Sequence, residues 1–177
     1  MFFTADTHFA DPRVLRIDRR PFATTAEHDE ALIETWNRTV APSDEVWHLG
    51  DFARGTASAK ETLLSRLNGR KHLIAGNNDD AVTLALTGWD SVRTYHELLL
   101  DGRRLVLCHY AFRTWNSMGK GAIDLHGHSH GRLKPIPRQY DVGVDAFPFR
   151  PVTLEEILAS RPQRGSRTVP PDGTRPG

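Results

Sequence analysis

The chain has 177 residues, a net charge of +1, nine histidines and a single cysteine, Cys108; this suits one domain with a substantial core and excludes an intrachain disulfide. We find no apolar stretch long enough to span a bilayer and no secretory signal, so the sequence predicts a cytoplasmic protein without a membrane partner. The tail beyond residue 160 carries four arginines against one aspartate, which leaves a body of net charge −2 and makes nucleic acid an unfavourable partner.

Apolar runs separated by turn signals predict alternating strands and helices over residues 1–160. The predicted strands cover residues 1–5, 45–49, 71–75, 91–100, 103–108, 122–125 and 140–144, and the predicted helices cover 24–40, 57–67, 81–86 and 153–159. Asp101-Gly102 is typical of a hairpin turn between two of the strands. Repeated Pro, Gly and Arg predict a disordered tail over 161–177, so we expect one domain, 1–160, followed by that tail.

A polar loop is predicted between the first strand and the first helix, over residues 9–24. In α/β proteins a loop at the C-terminal end of the first strand often carries ligand contacts. Its arginines are therefore either ligand contacts or parts of a solvated surface, and the sequence leaves both interpretations open. They are Arg13, Arg16, Arg19 and Arg20.

The first strand ends on Asp6-Thr7-His8, a carboxylate and an imidazole two positions apart. Side chains two apart on an extended strand share a face, so Asp6 and His8 can hold one ion together if the extended geometry continues to His8. Alone, this pattern is a weak signal, because a histidine after a strand is usually a core or surface residue.

The same event recurs along the chain: a predicted strand, then a glycine or small residue, then a side chain that binds metals in proteins. The further side chains of this kind are Asp51, Asn77, His109, His128 and His130. Short strands bring such residues together only if they share a sheet and converge on one edge, where α/β proteins bind their ligands. Five clusters in this order predict one metal site rather than a set of unrelated turns.

These motifs carry a resemblance to a known family. Asp6-x-His8, Gly50-Asp51, Gly76-Asn77-x-Asp79, His109 and Gly127-His128-x-His130 resemble the motif set of the calcineurin-like metallophosphoesterase superfamily, over nearly everything from Met1 to His130. The flanking sequence, including Arg20-Pro21-Phe22 and Val142-Gly143-Val144-Asp145, resembles a small bacterial and phage branch of uncharacterised phosphoesterases. The resemblance implies an α/β (α+β) fold, a two-layer mixed β-sandwich flanked by helices, with two divalent ions at one edge.

The resemblance also implies the residue roles. Asp6, His8 and His130 bind the first ion, Asn77, His109 and His128 bind the second, Asp51 bridges both, and Asn78 and Asp79 join Asp51 in the catalytic set. Carboxylate, imidazole and amide ligands without a thiolate suit manganese, with iron, zinc or nickel as alternatives. The implied reaction is in-line attack on phosphorus by a hydroxide that bridges the two ions, with no covalent enzyme intermediate.

Two positions depart from the family pattern. Asn78 stands where the family usually has histidine, and Asp11 stands where the branch often has histidine. An asparagine donates a hydrogen bond but cannot supply a proton near neutral pH, and general acid catalysis is worth about 10²–10⁴-fold. We therefore expect good leaving groups and, because the site lacks one positive imidazole, phosphodiesters rather than the more highly charged monoesters. The alternatives are a phosphomonoesterase of the same fold, a non-catalytic scaffold that binds metal and phosphate, and a nuclease.

The expected substrate is a small phosphoester, of which a nucleotide is one candidate. Tyr110, Arg113 and Asn116 follow ligand His109 closely, and together with Asn78 they are the predicted substrate contacts, with Arg113 as a fork for phosphate. An ordinary packed loop explains Tyr110, Arg113 and Asn116 equally well. Arg132 is a weaker candidate. The oligomeric state is left open.

The remaining histidines have other predicted roles. His48 and His126 lie in strands beside ligand positions, where each is either a satisfied core residue or a partner that orients a ligand. His28, His72 and His96 are predicted as surface or structural residues.

Overall fold

The computed structural model describes residues 1–134 and 136–160, so the predicted disordered tail lies outside the described residues. Within them the strands are β1 (Phe2–Thr4), β2 (Glu45–His48), β3 (Arg70–Ile74), β4 (Ser91–Arg93), β5 (Tyr95–Leu100), β6 (Arg103–Cys108), β7 (Ile123–His126) and β8 (Gln139–Asp141). The helices are α1 (Arg13–Ile17), α2 (Thr25–Thr39), α3 (Ala57–Arg66), α4 (Ala81–Leu84) and α5 (Leu154–Ala159), with a 3₁₀ turn at Met118–Lys120. None of the described helices is long and apolar enough to cross a bilayer.

The strands form two four-stranded sheets. The first has the order β1-β2-β3-β4 and is entirely parallel, and the second has the order β5-β6-β7-β8, with only β5 and β6 antiparallel. Side chains of both sheets share one buried core, with Phe3, Leu49 and Ile74 on one side and Leu107 and Leu125 on the other. The predicted α/β fold, a two-layer sandwich of sheets, is confirmed.

Helices cover the outer face of the first sheet. Leu32 and Trp36 of α2 and Leu64 of α3 pack with Val46 and Leu73 of the sheet in a second buried cluster. Parallel strands that are buried on both faces appear in the sequence as short runs of apolar residues. For this reason the sequence pattern predicted the positions of β1 to β3.

The premise that the ligand-bearing strands share one sheet is wrong, and so is the prediction of one strand over residues 91–100. Residues 91–100, predicted as one strand, break at Thr94: β4 pairs with β3 in the first sheet, and β5 pairs with β6 in the second. Hydrophobic alternation reports which face of a strand is buried but not which strand it pairs with, so it cannot reveal a change of sheet.

The predicted loop over residues 9–24 contains the short helix α1. A carboxylate oxygen of Asp11 accepts a hydrogen bond from the Arg13 N–H at 3.0 Å, and Pro12 stands at the N-cap of the helix. The longer helices begin at threonines that cap them: the Thr24 side chain accepts from Glu27, and Thr153 and Glu156 form the predicted capping box.

Backbone hydrogen bonds beyond the strand ends hold the two sheets together at one edge. The Asp6 N–H donates to the Gly50 carbonyl at 2.9 Å, and the Val144 N–H donates to the Ala5 carbonyl at 3.0 Å. The first bond joins the segments that follow β1 and β2, and the second joins the segments that follow β1 and β8. The predicted ligand residues therefore converge although their strands belong to two sheets.

Gly50 lies where the segments that follow β2, β3 and β6 approach one another. It has φ +94°, and a Cβ atom built on it would lie 2.5 Å from His109 Nδ1 and 2.7 Å from the Gly76 nitrogen. No other residue fits without moving the backbone of the neighbouring segments. Gly102, in the turn between β5 and β6, also has a positive φ, +74°, but nothing lies within 4 Å of its missing Cβ.

This pair of glycines separates steric crowding from backbone strain. We expect Gly50→Ala to lower the free energy of unfolding by more than about 3 kcal/mol, and Gly102→Ala by only about 1–2 kcal/mol, because left-handed strain is common to both and overpacking occurs only at Gly50. Urea denaturation followed by circular dichroism measures both values. Equal losses would contradict the close approach of the strand ends at Gly50.

Candidate metal centre

The backbone turns sharply at most of the predicted metal ligands. Asp6, His8, Asp51, His128 and His130 have φ values of 56°, 48°, 60°, 66° and 49°, in the left-handed region that non-glycine residues rarely adopt. Each such residue costs about 1–3 kcal/mol and persists only where the surroundings impose it. The condition that the extended geometry continues to His8 is therefore not met: the strand ends at Thr4, and the side chains of Asp6 and His8 meet through turns.

The structure brings the predicted ligands into two groups. Ligand atoms of Asp6, His8 and His130 lie within 4.8 Å of one another, and those of Asp51, His109 and His128 do the same. Asn77 joins the second group, since its Oδ1 lies 3.0 Å from His109 Nε2. This division matches the two ions that the motif resemblance implies.

Asp51 stands between the two groups. Its Oδ2 lies 3.5 Å from His8 Nε2, and its Oδ1 lies 3.6 Å from His109 Nε2. Burial acts to raise the pKa of Asp51, but His109 and two hydrogen bonds from Asn78 outweigh it and lower the pKa. One ionised carboxylate thus presents one oxygen to each group, which is the geometry of a bridging ligand.

Asp6 tests whether these residues fit a cation. Its Oδ1 accepts from the His128 N–H at 3.1 Å, but its Oδ2 is buried without a hydrogen-bond partner in the described structure. Burial raises the pKa of Asp6 well above the usual range. A Cβ atom on Gly143 would lie 2.6 Å from Oδ2, and one on Gly127 would lie 2.9 Å away, so side chains at these two positions would occupy the space beside this oxygen. A divalent cation would supply the partner that this oxygen lacks, so the residues fit such an ion.

Hydrogen bonds fix which ring nitrogen two of the histidines present. His109 Nδ1 lies 2.8 Å from the Leu49 carbonyl and donates to it, which leaves Nε2 facing Asp51. His130 Nδ1 lies 2.7 Å from Asp145 Oδ2, which leaves its Nε2 free. Burial acts to lower the pKa of His130, but Asp145 and Asp6 outweigh it and raise the pKa. Such partners orient ligating imidazoles and raise their basicity.

Arg20 connects this arrangement to the first strand. Its guanidinium is buried and donates to Asp145 Oδ1 at 3.0 Å and Oδ2 at 2.7 Å. The same group donates to the Asp6 carbonyl at 2.6 Å and the Thr7 carbonyl at 2.9 Å. Arg20 thereby fixes both the backbone that carries Asp6 and the carboxylate that orients His130. The sequence named Arg20 among the loop arginines of undecided role and in a branch pattern, and Asp145 in that pattern alone, so neither residue was predicted in these roles.

His48 and His126 support the ligand-bearing segments from within the core. Thr7 Oγ1 donates its proton to the Phe52 carbonyl at 2.8 Å. His48 Nε2 lies 2.9 Å from Thr7 Oγ1 and must therefore donate to that hydroxyl oxygen. Complete burial lowers the pKa of His48 to about 3, which keeps the ring neutral. His126 Nδ1 lies 2.8 Å from the Gly127 carbonyl. Both residues are therefore buried core residues that also support the site, although His48 Nδ1 has no hydrogen-bond partner in the described structure.

Asp79 and Asn78 surround Asp51 from the segment after β3. The Asp79 carboxylate accepts hydrogen bonds from the N–H groups of Asp51, Phe52 and Gly76, each at 2.8 Å. Asn78 donates to Asp51 from its backbone N–H at 2.8 Å and from its side-chain amide at 2.7 Å. The predicted catalytic set is thus placed together, with Asp79 positioning the backbone of Asp51 and Asn78 facing its carboxylate.

The predicted substrate contacts lie at different distances from the site. The Tyr110 ring, 47% exposed, packs against His128 at 4.7 Å and His109 at 5.1 Å between ring centroids. Arg113 is exposed and makes no hydrogen bond or ion pair with the described site residues. The Asn116 amide donates to both carboxylate oxygens of Glu97 on β5, each at 3.0 Å, so the structure does not place it at the site.

Two arginines lie at the edge of the site: Arg13, whose role the sequence left open, and Arg54, which the sequence did not single out. Buried Asp11 pairs with Arg13 Nη2 at 2.6 Å and with Arg54 Nε at 2.9 Å, and it lies 4.0 Å from His8 Nδ1. Arg13 Nη2 is 3.5 Å from Asn78 Oδ1. Burial acts to raise the pKa of Asp11, but hydrogen bonds from Arg13 prevail and lower it to about 2. The signal available in sequence was the departure at Asp11 itself.

An open cavity of about 440 Å³ adjoins the first ligand group. His130 and Asp145 line it on the side of the metal ligands, and Arg19, Arg132 and Phe147 line it elsewhere. Arg132, the weaker of the predicted contacts, therefore borders this cavity, where its Nη2 lies 2.7 Å from Asp18 Oδ1. The cavity offers charged and aromatic contacts next to the ligand groups.

Comparisons with known proteins agree with this geometry. A sequence model of the calcineurin-like phosphoesterase superfamily domain matches residues 2–138. The Gene 66 protein of Mycobacterium phage D29 is 32% identical to this chain over 179 residues, a match that covers 83% of this chain and 88% of the phage protein.

Two solved structures show the same fold. The protein of unknown function AQ665 from Aquifex aeolicus superposes with a TM-score of 0.73 at 21% identity, covering 89% of this chain and 97% of that chain. Yfce, a phosphoesterase from E. coli, superposes with a TM-score of 0.51 at 19% identity, covering 80% and 76%. Since the family match spans well over half of the sequence and contains both ligand groups, the chain belongs to the calcineurin-like phosphoesterase superfamily.

Proposed function

We propose that the protein is a dinuclear metal-dependent phosphodiesterase. The observation that carries this proposal is the placement of Asp51, whose two carboxylate oxygens lie 3.5 Å and 3.6 Å from histidines of the two separate ligand groups. A carboxylate shared in this way suits two ions in adjacent positions. Two divalent ions would supply positive charge for the phosphoryl oxygens and a lowered pKa for a water molecule between them.

The donor set favours borderline transition metals. Asp6, His8 and His130 would hold one ion, Asn77, His109 and His128 would hold the other, and Asp51 would contact both. Imidazole, carboxylate and amide oxygen together suit manganese, iron, zinc or nickel better than calcium, and we take manganese for the first tests. Other residues position these ligands through hydrogen bonds. Arg20 fixes the backbone at Asp6, Asp145 orients His130, and Asp79 fixes the backbone at Asp51.

The residue beside the bridging carboxylate limits the leaving group. The Asn78 amide donates to Asp51 at 2.7 Å, but an amide has no proton to give near neutral pH. A leaving oxygen that departs without a proton must be stable as an anion. The site is therefore suited to esters of acidic alcohols or to other good leaving groups.

Charge and space both favour a diester over a monoester. A diester carries one negative charge fewer, which suits a site that lacks the imidazole usual at position 78. It also carries a second organic group, and the cavity of about 440 Å³ beside His130 provides room for one. A phosphomonoesterase and a non-catalytic scaffold are the competing functions, and the experiment below separates them.

Asp51→Asn tests the dinuclear centre. Loaded with manganese, the wild-type protein should hydrolyse bis-p-nitrophenyl phosphate, and the variant should lose at least about 100-fold in kcat/KM, because several kcal/mol of transition-state stabilisation depend on the second ion. Metal analysis should show two bound ions in the wild type and fewer in the variant. Asp90→Asn, at an exposed carboxylate outside the site, is the matched control and should retain both properties.

The same assay with p-nitrophenyl phosphate, which has the same leaving group, decides the substrate class. A higher kcat/KM for the monoester would contradict the diester preference. Wild-type protein that holds two ions but hydrolyses neither ester would identify the scaffold.

Asn78→His tests the missing general acid. The new imidazole should raise kcat/KM for diphenyl phosphate, a poor substrate, by about 10- to 100-fold, toward the range typical of general acid catalysis, and should change the p-nitrophenyl ester much less. The gain should disappear as pH rises above the pKa of the imidazole, since only its protonated form donates. Asn78→Gln keeps an amide and controls for the larger side chain. A gain in both variants would rule out proton donation as the cause.

Asp145→Asn tests the orientation of His130. The loss of the carboxylate that accepts from His130 Nδ1 at 2.7 Å should weaken binding of one manganese ion by about 10- to 100-fold and leave the other ion little changed. Calorimetric titration of metal-free protein measures both affinities, and Asp90→Asn again serves as the control. Thermal unfolding of the metal-free variant checks that the protein still folds when buried Arg20 has lost its carboxylate partner. Unchanged affinity at both positions would mean that Asp145 does not support a ligand.

A further inference from the structure

A pair of arginines lies at the edge of the metal centre, next to Asn78. Asp11 accepts hydrogen bonds from Arg13 Nε and Nη2, at 3.0 Å and 2.6 Å, and from Arg54 Nε at 2.9 Å. Arg13 Nη2 is 3.5 Å from Asn78 Oδ1, and the Asn78 amide in turn donates to Asp51. The Arg13 guanidinium is thus one side chain away from the bridging carboxylate.

The burial of the three groups is unequal in an informative way. The Asp11 side chain is 1% exposed, whereas those of Arg13 and Arg54 are 43% and 50% exposed. The two guanidinium groups and the one carboxylate have a net charge of +1, and the positive groups are the ones exposed to solvent. The buried carboxylate of Asp11 fixes the positions of the two half-exposed guanidinium groups. An ion pair on the solvated surface has no such buried anchor.

The arginines keep donors for a further partner. Asp11 engages Nε and Nη2 of Arg13 but only Nε of Arg54. Among the described residues, Arg13 Nη1 and both terminal nitrogens of Arg54 have no hydrogen-bond acceptor. Guanidinium donors arranged in this way bind phosphate oxygens with charge-assisted hydrogen bonds.

We propose that Arg13 and Arg54 bind a second phosphate of the substrate, so that the preferred substrate is a diphosphate diester, in which two phosphates are joined by an anhydride bond. This inference rests on the proposed phosphodiesterase function and specifies its substrate class. Each phosphorus of such a molecule carries one ester group and one negative charge, so it meets the same diester requirement. The phosphate attacked lies at the ligand groups, and the second lies toward Asn78 and the arginines.

The chemistry explains why a second phosphate suits this site. The oxygen of a water molecule forms the new bond to phosphorus, the bond from that phosphorus to the bridging oxygen breaks, and the electron pair stays on the leaving phosphate. A phosphate monoester has a second pKa of about 6, so it leaves as an anion and needs no proton from the enzyme. The two protons of the water end on the product phosphates or in solvent. The arginines replace the missing acid by binding the anion that departs.

The test compares one phosphate with two. The substrates are bis-p-nitrophenyl phosphate and diphenyl diphosphate, which carries one phenyl group on each phosphorus, and the enzyme is loaded with manganese. In the double variant Arg13→Gln, Arg54→Gln we expect kcat/KM for the diphosphate to fall about 10- to 100-fold further than kcat/KM for the single-phosphate diester. Arg16→Gln, an exposed arginine on the same short helix, is the matched control and should change neither value. Equal losses for both substrates would overturn the inference.

A binding measurement provides a readout without turnover. Calorimetry on the manganese-loaded protein compares methylenediphosphonate, which is not hydrolysed, with methylphosphonate. The second phosphonate should tighten binding to the wild type and to Arg16→Gln, and this gain should fall at least about 10-fold in the double variant. The metal content after each titration shows that the ligand has not removed the ions. Equal gains in the wild type and the double variant would overturn the assignment.

The two proposals fail in different ways. If the loaded wild type hydrolyses neither substrate, the phosphodiesterase function is wrong, and the phosphonate titration alone then decides whether the arginines bind a second phosphate. If bis-p-nitrophenyl phosphate is hydrolysed but the diphosphate is not, the function stands and the inferred substrate class is wrong.

Discussion

Two buried carboxylates, Asp6 and Asp51, dominate the energetics of this site. Asp6 has a buried oxygen without a partner in the described structure, and Asp51 has one oxygen directed to each cluster of histidines. Desolvation penalises the charged form of both carboxylates: it raises the pKa of Asp6, whereas at Asp51 the neighbouring His109 and the hydrogen bonds from Asn78 outweigh it and lower the pKa. Divalent cations held by the two candidate ligand groups would relieve this cost.

The backbone is built to tolerate that arrangement. Left-handed turns occur at candidate ligands such as His8 and His130, while Gly127, Gly143 and Gly50 let neighbouring segments approach within contact of the candidate ligands. Each strained turn costs free energy, and the two-sheet core supplies the stability that maintains it. Ligand geometry is thus set by the meeting of segments rather than by any one strand.

The superfamily, the sandwich of sheets and the candidate ligands could be predicted from the sequence, because each motif of strand, glycine and ligand type lies within a few consecutive residues. The sequence did not predict features that depend on strand pairing or on side-chain packing between distant segments. The break at Thr94 between sheets, the turn at His8 and the contact of Asn116 with Glu97 depend on residues far away in the chain. Arg54 carried no motif at all, and it matters only because the fold places it on buried Asp11.

The two departures from the family pattern gain a common explanation from their position. In sequence, Asp11 and Asn78 look like separate losses of an imidazole at the edge of the site. In the structure they are connected, since Arg13 contacts Asp11 at 2.6 Å and Asn78 at 3.5 Å. An arginine stays protonated at any physiological pH, so it binds an anion where a histidine would deliver a proton. In the proposed function, this edge of the site binds an anion instead of donating a proton, which favours leaving groups that depart as anions.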